Sequence, residues 1–300
     1  METDCSLFYV FRNKRVSSVR GQYMRRVRSV IMIPATIVLL LCFTSGPALA
    51  QEKKVVRISG GGALSDVVQS YSESYMKGAQ NCSITVTGTT TGIGFKKLFD
   101  GDADIVMATR KITAEEAKIA QEQGLSLNAT YVGQVELAVI TNGKNTVNEL
   151  TMEQLEKIFK GEFKNWNEVG GPNELIKVTT RRVPESGVGL RFQEVVLKGA
   201  PYAKDHLVVS SYNMALMVCG KSFAIGYMPT STSFFDKIED QGVKVLDLKK
   251  QADSAPYPLA SGVTRETLYP ISVAFILYWN SKSDNPCIKG FADFAEKQTQ

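Results

Sequence analysis

The chain has 300 residues, of which 44% are hydrophobic, enough for one or two globular domains. Its formal net charge of +5 comes from the first 50 residues, which carry seven of the 35 basic and two of the 30 acidic residues. The other 250 residues carry 28 of each and are neutral. This balance argues against a nucleic-acid-binding protein, which would need a basic face.

The first 50 residues are typical of a secretory signal peptide. The arginine-rich stretch 25–28 precedes an apolar run over 30–43, and residues 48–50, Ala-Leu-Ala, form an A-x-A cleavage site. Met24 would be a better start than the first residue. An uncleaved membrane anchor is the alternative, although the run is short for a membrane span. We expect a mature periplasmic protein of residues 51–300.

Two strand–turn–helix units open the mature chain. The first runs from a β-branched strand over 55–59, through three glycines, into a helix that begins near Ser65. The second opens with a Thr-rich turn containing Thr90 and Thr91 and continues through a short helix. It closes with a buried strand over 103–108 that leads to Arg110.

A third unit repeats this arrangement. A strand over 175–180 is followed by Arg181 and Arg182, and a turn through Ser186 and Gly187 leads into a helix. In an α/β sheet, strand carboxyl ends and helix N-termini share one edge, where ligands bind. Because hydroxyls, free N–H groups and guanidinium groups collect there, the sequence predicts an anion site.

The remaining elements alternate between helices and strands. Capping-box patterns that begin at Thr113 and Thr151 predict helices to about Gln123 and Gly161. This alternation predicts an α/β sheet fold. Further strands are expected over 134–141, 224–227, 243–248 and 271–279, further helices over 211–218 and 288–298, and a loop over 256–270.

The chain contains the motifs ISGGGAL, TTTGIGFKKLFDGDADIVMATR, LTMEQLEKIFKGEFKNWNEVGG, the RR…SG turn before RFQEVVL, AIGYMP and YPIS. In their order and spacing, these motifs resemble the substrate-binding proteins of phosphate ABC transporters, which have the type II periplasmic-binding fold. The resemblance implies two lobes, each a mixed sheet flanked by helices, with the ligand in the cleft between them. It implies crossovers near Tyr131–Gln134 and Met228–Phe234, so that 51–132 with 231–300 form one lobe and 133–230 the other.

The resemblance also implies a set of contacts to the anion. Arg110 stands where well-known members have an acidic residue that accepts the proton of phosphate, whereas other members have arginine there. Val188 and Glu185 replace a usual threonine and a usual glycine, so we expect inorganic phosphate or a related oxyanion. The alternative for Arg110 is a structural ion pair with Asp104 or Glu185. The implied contacts are Ala63, Leu64, Thr90, Thr91, Arg110, Arg182, Ser186 and Gly187.

The resulting prediction is a monomeric solute-binding protein that passes its anion to the permease subunits of an ABC importer. We expect no catalysis, cofactor or bound metal. The run from Asp100 to Asp104 imitates a calcium loop, but Ile105 stands where that loop requires glycine and Lys111 where it requires glutamate. A Cys82–Cys287 pairing is left open.

Two alternatives for the function are kept. The first is a sensor or scavenger that has the same anion site but no permease. The second is a phosphate-ester hydrolase, although the chain has no G-x-S-x-G elbow, HExxH or P-loop, and one histidine cannot build a metal cluster.

Overall fold

The computed structural model describes residues 53–183, 185–209, 213–221, 223–233 and 235–299, so the predicted signal peptide lies outside the described residues. The strands are β1 Lys54–Gly61, β2 Cys82–Thr89, β3 Ile105–Ala108, β4 Leu127–Asn142, β5 Glu149–Thr151, β6 Lys177–Thr180, β7 Leu207–Val208, β8 Ala224–Pro229, β9 Val243–Lys249, β10 Val263–Thr264 and β11 Ser272–Asn280. The helices are α1 Ser65–Gly78, α2 Thr91–Phe99, α3 Ala114–Glu122, α4 Met152–Lys160, α5 Gly187–Val196, α6 Met214–Gly220 and α7 Pro286–Lys297.

The first group of strands is a mixed sheet in the order β2-β1-β3-β11-β4. β1 is parallel to β2 and to β3, whereas β11 is antiparallel to β3 and β4. Each of the parallel strands is followed by a helical segment or a loop at the same edge. The carboxyl ends of β1, β2 and β3 therefore bring the first two predicted turns together.

β4 belongs to two groups of strands. Its residues up to Glu136 pair with β11, and from Leu137 onward they pair with β8 and β9. β6 extends the second group because it is parallel to both β8 and β7. The mixed sheet with flanking helices confirms the predicted α/β class.

The division of the chain at 132/133 and 230/231 stays a prediction. β9, which these boundaries assign to the first lobe, pairs with β4 beyond Val139 and with β5, both assigned to the second lobe. This pairing favours a return to the first group of strands after Lys249 rather than near Met228–Phe234.

Local signals account for the helices that were predicted best. Both capping boxes form, with the Thr113 and Thr151 hydroxyls each accepting an N–H from the third helical residue. α4 ends at Gly161, whose φ of 76° lies in the left-handed region that favours glycine. One disulfide joins Cys82 at the start of β2 to Cys287 in the first turn of α7, so the pairing left open in the sequence is formed.

Candidate functional site

The N-terminus of α2 is tied to the end of β3 by two threonines. Thr90 caps the helix, with its Oγ1 accepting from the Ile93 N–H at 3.3 Å. Thr91 is buried, and its Oγ1 accepts from the Thr109 N–H at 3.1 Å while lying 3.2 Å from the Thr109 hydroxyl. The helix start is thus held at the carboxyl edge of the sheet, as the sequence predicts.

The N-terminus of α5 meets the same threonine pair. Ser186 is buried and caps α5, with its Oγ accepting from the Gly189 N–H at 3.1 Å. A Cβ built on Gly187 would lie 2.2 Å from the Thr109 hydroxyl and 3.7 Å from Thr91 Oγ1. Position 187 therefore needs glycine because of close approach. Two helix N-termini converge here, with Ser186, Gly187 and Thr91 brought together.

Thr109 is the contact that sequence reasoning missed. Its position in the sequence could have indicated this role, because Thr109 is a hydroxyl residue at the end of a buried strand and directly precedes Arg110. It is 4% exposed, which makes its contacts to the α2 and α5 turns part of the interior.

The glycine-rich turn of the first unit packs against the same edge. Ala63 and Leu64 lie in a short 3-10 turn, Gly62–Leu64, that runs directly into α1, and their side chains are buried. A Cβ on Gly62 would lie 3.3 Å from the Thr89 carbonyl, next to the threonine turn. The Ala63 carbonyl accepts from the Ser231 hydroxyl at 2.7 Å.

Arg110 forms an ion pair, but with neither of the expected partners. Its Nη1 and Nη2 donate to Oε2 and Oε1 of Glu116, both at 2.8 Å, and Nη1 also donates to the Lys111 carbonyl at 3.0 Å. Asp104 is instead held by Arg57. The prediction of Asp104 or Glu185 as partner is wrong, because the α3 cap places a carboxylate closer.

The ion pair lies beside the α2 turn. Arg110 Nη2 is 3.7 Å from the position of a Cβ built on Gly92. Burial alone would raise the pKa of Glu116, but hydrogen bonds from Arg110 and Thr113 outweigh it and leave the pKa below its usual value. Glu116 is therefore ionised at neutral pH, and the pair as a whole is neutral.

The two neighbouring arginines after β6 differ in environment. The side chain of Arg182 is exposed, and none of the described residues gives it a hydrogen bond or an ion pair. Arg181 is more buried, its N–H donates to the Tyr227 hydroxyl at 3.2 Å, and its Nε has no partner among the described residues. Burial lowers the pKa of Arg181. Sequence reasoning did not single out this arginine.

A pair of tyrosines supports the first turn of α5. The hydroxyls of Tyr202 and Tyr227 lie 3.1 Å apart, and the Tyr202 hydroxyl donates to the Gly189 carbonyl at 3.0 Å. Phe192 of α5 stacks on Tyr227 with ring centroids 3.8 Å apart. Burial raises the pKa of Tyr227 to about 12, so its hydroxyl keeps its proton at neutral pH. The α5 N-terminus is thereby fixed relative to β6 and β8.

Other features of the described chain lie apart from this edge. A cavity of about 610 Å³ beside α3 is mostly apolar and contains none of the predicted anion contacts. No three His, Cys, Asp or Glu side chains within the described ranges form a group that could hold a metal ion. In the same ranges, no helix has the length and apolarity needed to cross a membrane. The candidate site is therefore identified by the donors that converge at the α2 and α5 N-termini and not by the size of a cavity.

Comparison with known proteins identifies a family for most of the chain. The family model described as PBP superfamily domain matches residues 44–297. The phosphate-binding protein PstS of Staphylococcus saprophyticus is 26% identical over 269 residues, covering 87% of this chain and 81% of that protein. PstS of Borreliella burgdorferi is 25% identical over 288 residues, covering 92% of this chain and 95% of that protein.

Solved structures show the same fold. A substrate-binding protein assigned to phosphate ABC transport, with bound phosphate, from Clostridium perfringens superposes with a TM-score of 0.66 at 25% identity, covering 80% of this chain and 92% of that one. An ABC-type phosphate transport receptor from Vibrio cholerae superposes with a TM-score of 0.58 at 25% identity, covering 81% of this chain and 94% of that one. The predicted two-lobed type II periplasmic-binding fold is confirmed.

Proposed function

Because this chain belongs to the PBP superfamily, we propose that it is a solute-binding protein that captures inorganic phosphate, or a related tetrahedral oxyanion, for an ABC importer. The relatives named for phosphate binding support the ligand. The observation that carries the proposal is the convergence of the α2 and α5 N-termini at Thr109. Two helix N-termini aimed at one point supply N–H donors and positive partial charge to an anion.

In the proposed complex the donors come from the three turns. Thr90 and Thr91 offer hydroxyl and backbone N–H groups. Ser186 offers its hydroxyl, because its own N–H donates to the Arg182 carbonyl at 2.9 Å. Gly187 offers its backbone N–H at the start of α5, and Ala63 with Leu64 offer theirs at the start of α1. Arg182 and Arg110 add guanidinium groups. Hydrogen bonds to charged groups contribute roughly 1.5–3 kcal/mol each. Several of them, less the costs of desolvation and lobe closure, are enough for micromolar binding, about −8 kcal/mol.

The proposed action is binding and release, with no covalent step. The protein would act as a monomer outside the cytoplasm, after removal of the leader, and deliver its ligand to permease subunits. Lobe closure around a dehydrated anion would select for tetrahedral shape, since each donor that is left without an acceptor costs affinity.

Thermal unfolding of residues 51–300, first freed of co-purified anion, tests the proposal. Phosphate at about a hundredfold over its Kd should add roughly 2.7 kcal/mol of stability, because the ligand binds only the folded chain. Sulfate, arsenate and molybdate in parallel would rank the anions. A melting temperature that does not respond to millimolar amounts of any of the four anions would refute the proposal. Turnover of a phosphomonoester would favour the hydrolase instead.

A further inference from the structure

The Arg110 guanidinium has two bidentate faces, and only one of them is occupied by protein. Nη1 and Nη2 together bind the Glu116 carboxylate. The other face, formed by Nε and the second N–H of Nη2, has no acceptor among the described residues. The same face of Arg57 binds Asp104, with Nε to Oδ2 at 3.0 Å and Nη2 to Oδ1 at 2.9 Å, which shows that it can hold two oxygens at once.

The unoccupied face shares Nη2 with the occupied one, and this atom lies at the predicted anion site. Nη2 is within van der Waals distance of the Gly92 position in the first turn of α2. The side chain of Arg110 is 23% exposed and that of Glu116 14% exposed, so the pair is largely removed from water. Such an ion pair is screened less than an exposed one. Besides Glu116, the titratable side chain that interacts electrostatically with Arg110 is the Tyr278 hydroxyl of β11.

The charge of Glu116 is not needed for its other role. Glu116 Oε2 accepts the Thr113 N–H at 2.9 Å and thereby closes the capping box of α3. The second capping box of this chain does the same with Gln154, whose Oε1 accepts the Thr151 N–H at 2.8 Å. Since a neutral amide is sufficient to cap α4, the cap of α3 does not by itself require a negative charge at position 116.

Resting on the proposed function, we propose that Glu116 is a positioning residue that determines which anions the site accepts. It holds the first face of Arg110 so that the second face meets the ligand at the α2 N-terminus. Its charge also offsets that of Arg110, so the pair donates hydrogen bonds without adding net positive charge. A site of this kind does not favour doubly charged anions strongly over singly charged ones.

Glu116→Gln tests the charge. The side chain keeps its length and its capping oxygen, but the site gains one net positive charge. A dianion gains more from that charge than a monoanion does. By calorimetric titration at about pH 6, where phosphate is largely a monoanion, the sulfate-to-phosphate affinity ratio should rise on the order of tenfold. At about pH 8.5, where both ligands are dianions, the ratio should return toward that of the parent.

Glu116→Asp tests whether the side chain must be long enough to reach the Arg110 guanidinium. It keeps the charge but shortens the side chain by one methylene, so both anions should bind more weakly while their ratio stays constant. Glu122→Gln is the matched control, because Glu122 lies on the same helix and, among the residues that the structure describes, forms an ion pair only with exposed Lys118. This control should leave both affinities as in the parent.

The outcomes separate this inference from the proposed function. If the parent binds phosphate and Glu116→Gln leaves the pH 6 ratio within about twofold, Glu116 is structural and the inference is wrong. If Glu116→Gln does not fold, unchanged affinities in Glu116→Asp would overturn the inference on their own. Failure of the parent to bind any of these anions would overturn the proposed function and the inference together.

Discussion

Replacing Arg182 by alanine should remove affinity without changing the stability of the ligand-free protein. Its side chain is exposed and has no partner among the described residues, so the free energy of unfolding should change by less than about 0.5 kcal/mol. A guanidinium that binds an anionic ligand contributes roughly 1.5–3 kcal/mol per hydrogen bond. The Kd should therefore rise by roughly 10- to 150-fold for each bond lost.

Arg181→Ala is the matched comparison, because the two arginines are adjacent and differ mainly in burial. Truncation of Arg181 removes a side chain that packs beneath Gly189. It should change the stability of the ligand-free protein and affect the Kd less than Arg182→Ala does. Arg182→Lys should recover only part of the affinity, since an ammonium lacks the planar fork of a guanidinium.

Calorimetric titration with phosphate and urea unfolding without ligand measure the two quantities separately. We expect a loss of affinity alone for Arg182→Ala and a change of stability for Arg181→Ala. If Arg181→Ala abolished binding while Arg182→Ala had no effect, the ligand would be held by the buried arginine. The family motif would then have been aligned one residue out of position, and Arg181 rather than Arg182 would be the ligand-binding arginine.

Two further predictions follow from other contacts. Removing the disulfide with a Cys82→Ser, Cys287→Ser double variant should lower the free energy of unfolding by about 2–5 kcal/mol in urea titrations, because the bond closes a loop with a sequence separation of 205. Gly187→Ala should raise the Kd for phosphate and cost about 1–3 kcal/mol of stability, because its Cβ would meet the Thr109 hydroxyl at 2.2 Å. Gly78→Ala, at a position with nothing within 4 Å, is the control for both measurements and should leave the Kd unchanged.

Local chemistry explains which elements the sequence predicts. α4 has a capping threonine at Thr151, a buried face of Leu155, Ile158 and Phe159, and a left-handed Gly161 at its end. Each of these signals acts within a few residues, so each is visible in the sequence. β11 is likewise evident, because a strand buried on both faces is an apolar run.

Pairing between distant strands is what the sequence does not reveal. β4 begins at Leu127, seven residues before the predicted start, because residues 127–131 are partly exposed and lack an apolar pattern. They are in a strand because β11 pairs with them. β9 is predicted as a strand, but its partners β4 and β5 depend on the fold as a whole. For the same reason, the limits of the lobes cannot be found from motifs alone.

The site shows the same division between local and distant contacts. The positions of Thr90 and Ser186 at the starts of helices are local features and were predicted. Thr109, by contrast, joins two helices that are almost a hundred residues apart in sequence. Arg182 is the contact that the family resemblance implies. The difference in burial between Arg182 and Arg181 depends on the packing of α5 against the end of β6.

The ion pair of Arg110 with Glu116 was not predicted, although the local sequence contains the information needed to predict it. Asp104 and Glu185 were the partners of the alternative structural ion pair, yet Asp104 is already held by Arg57 and Glu185 is exposed. The capping box had already fixed the position of another carboxylate, because the cap requires Glu116 to reach back to the Thr113 N–H. Only two residues separate Thr113 from Arg110, so that carboxylate lies within reach of the guanidinium. A predicted cap therefore constrains side chains beyond its own helix, and here one oxygen, Glu116 Oε2, links the start of α3 to the charge of the anion site.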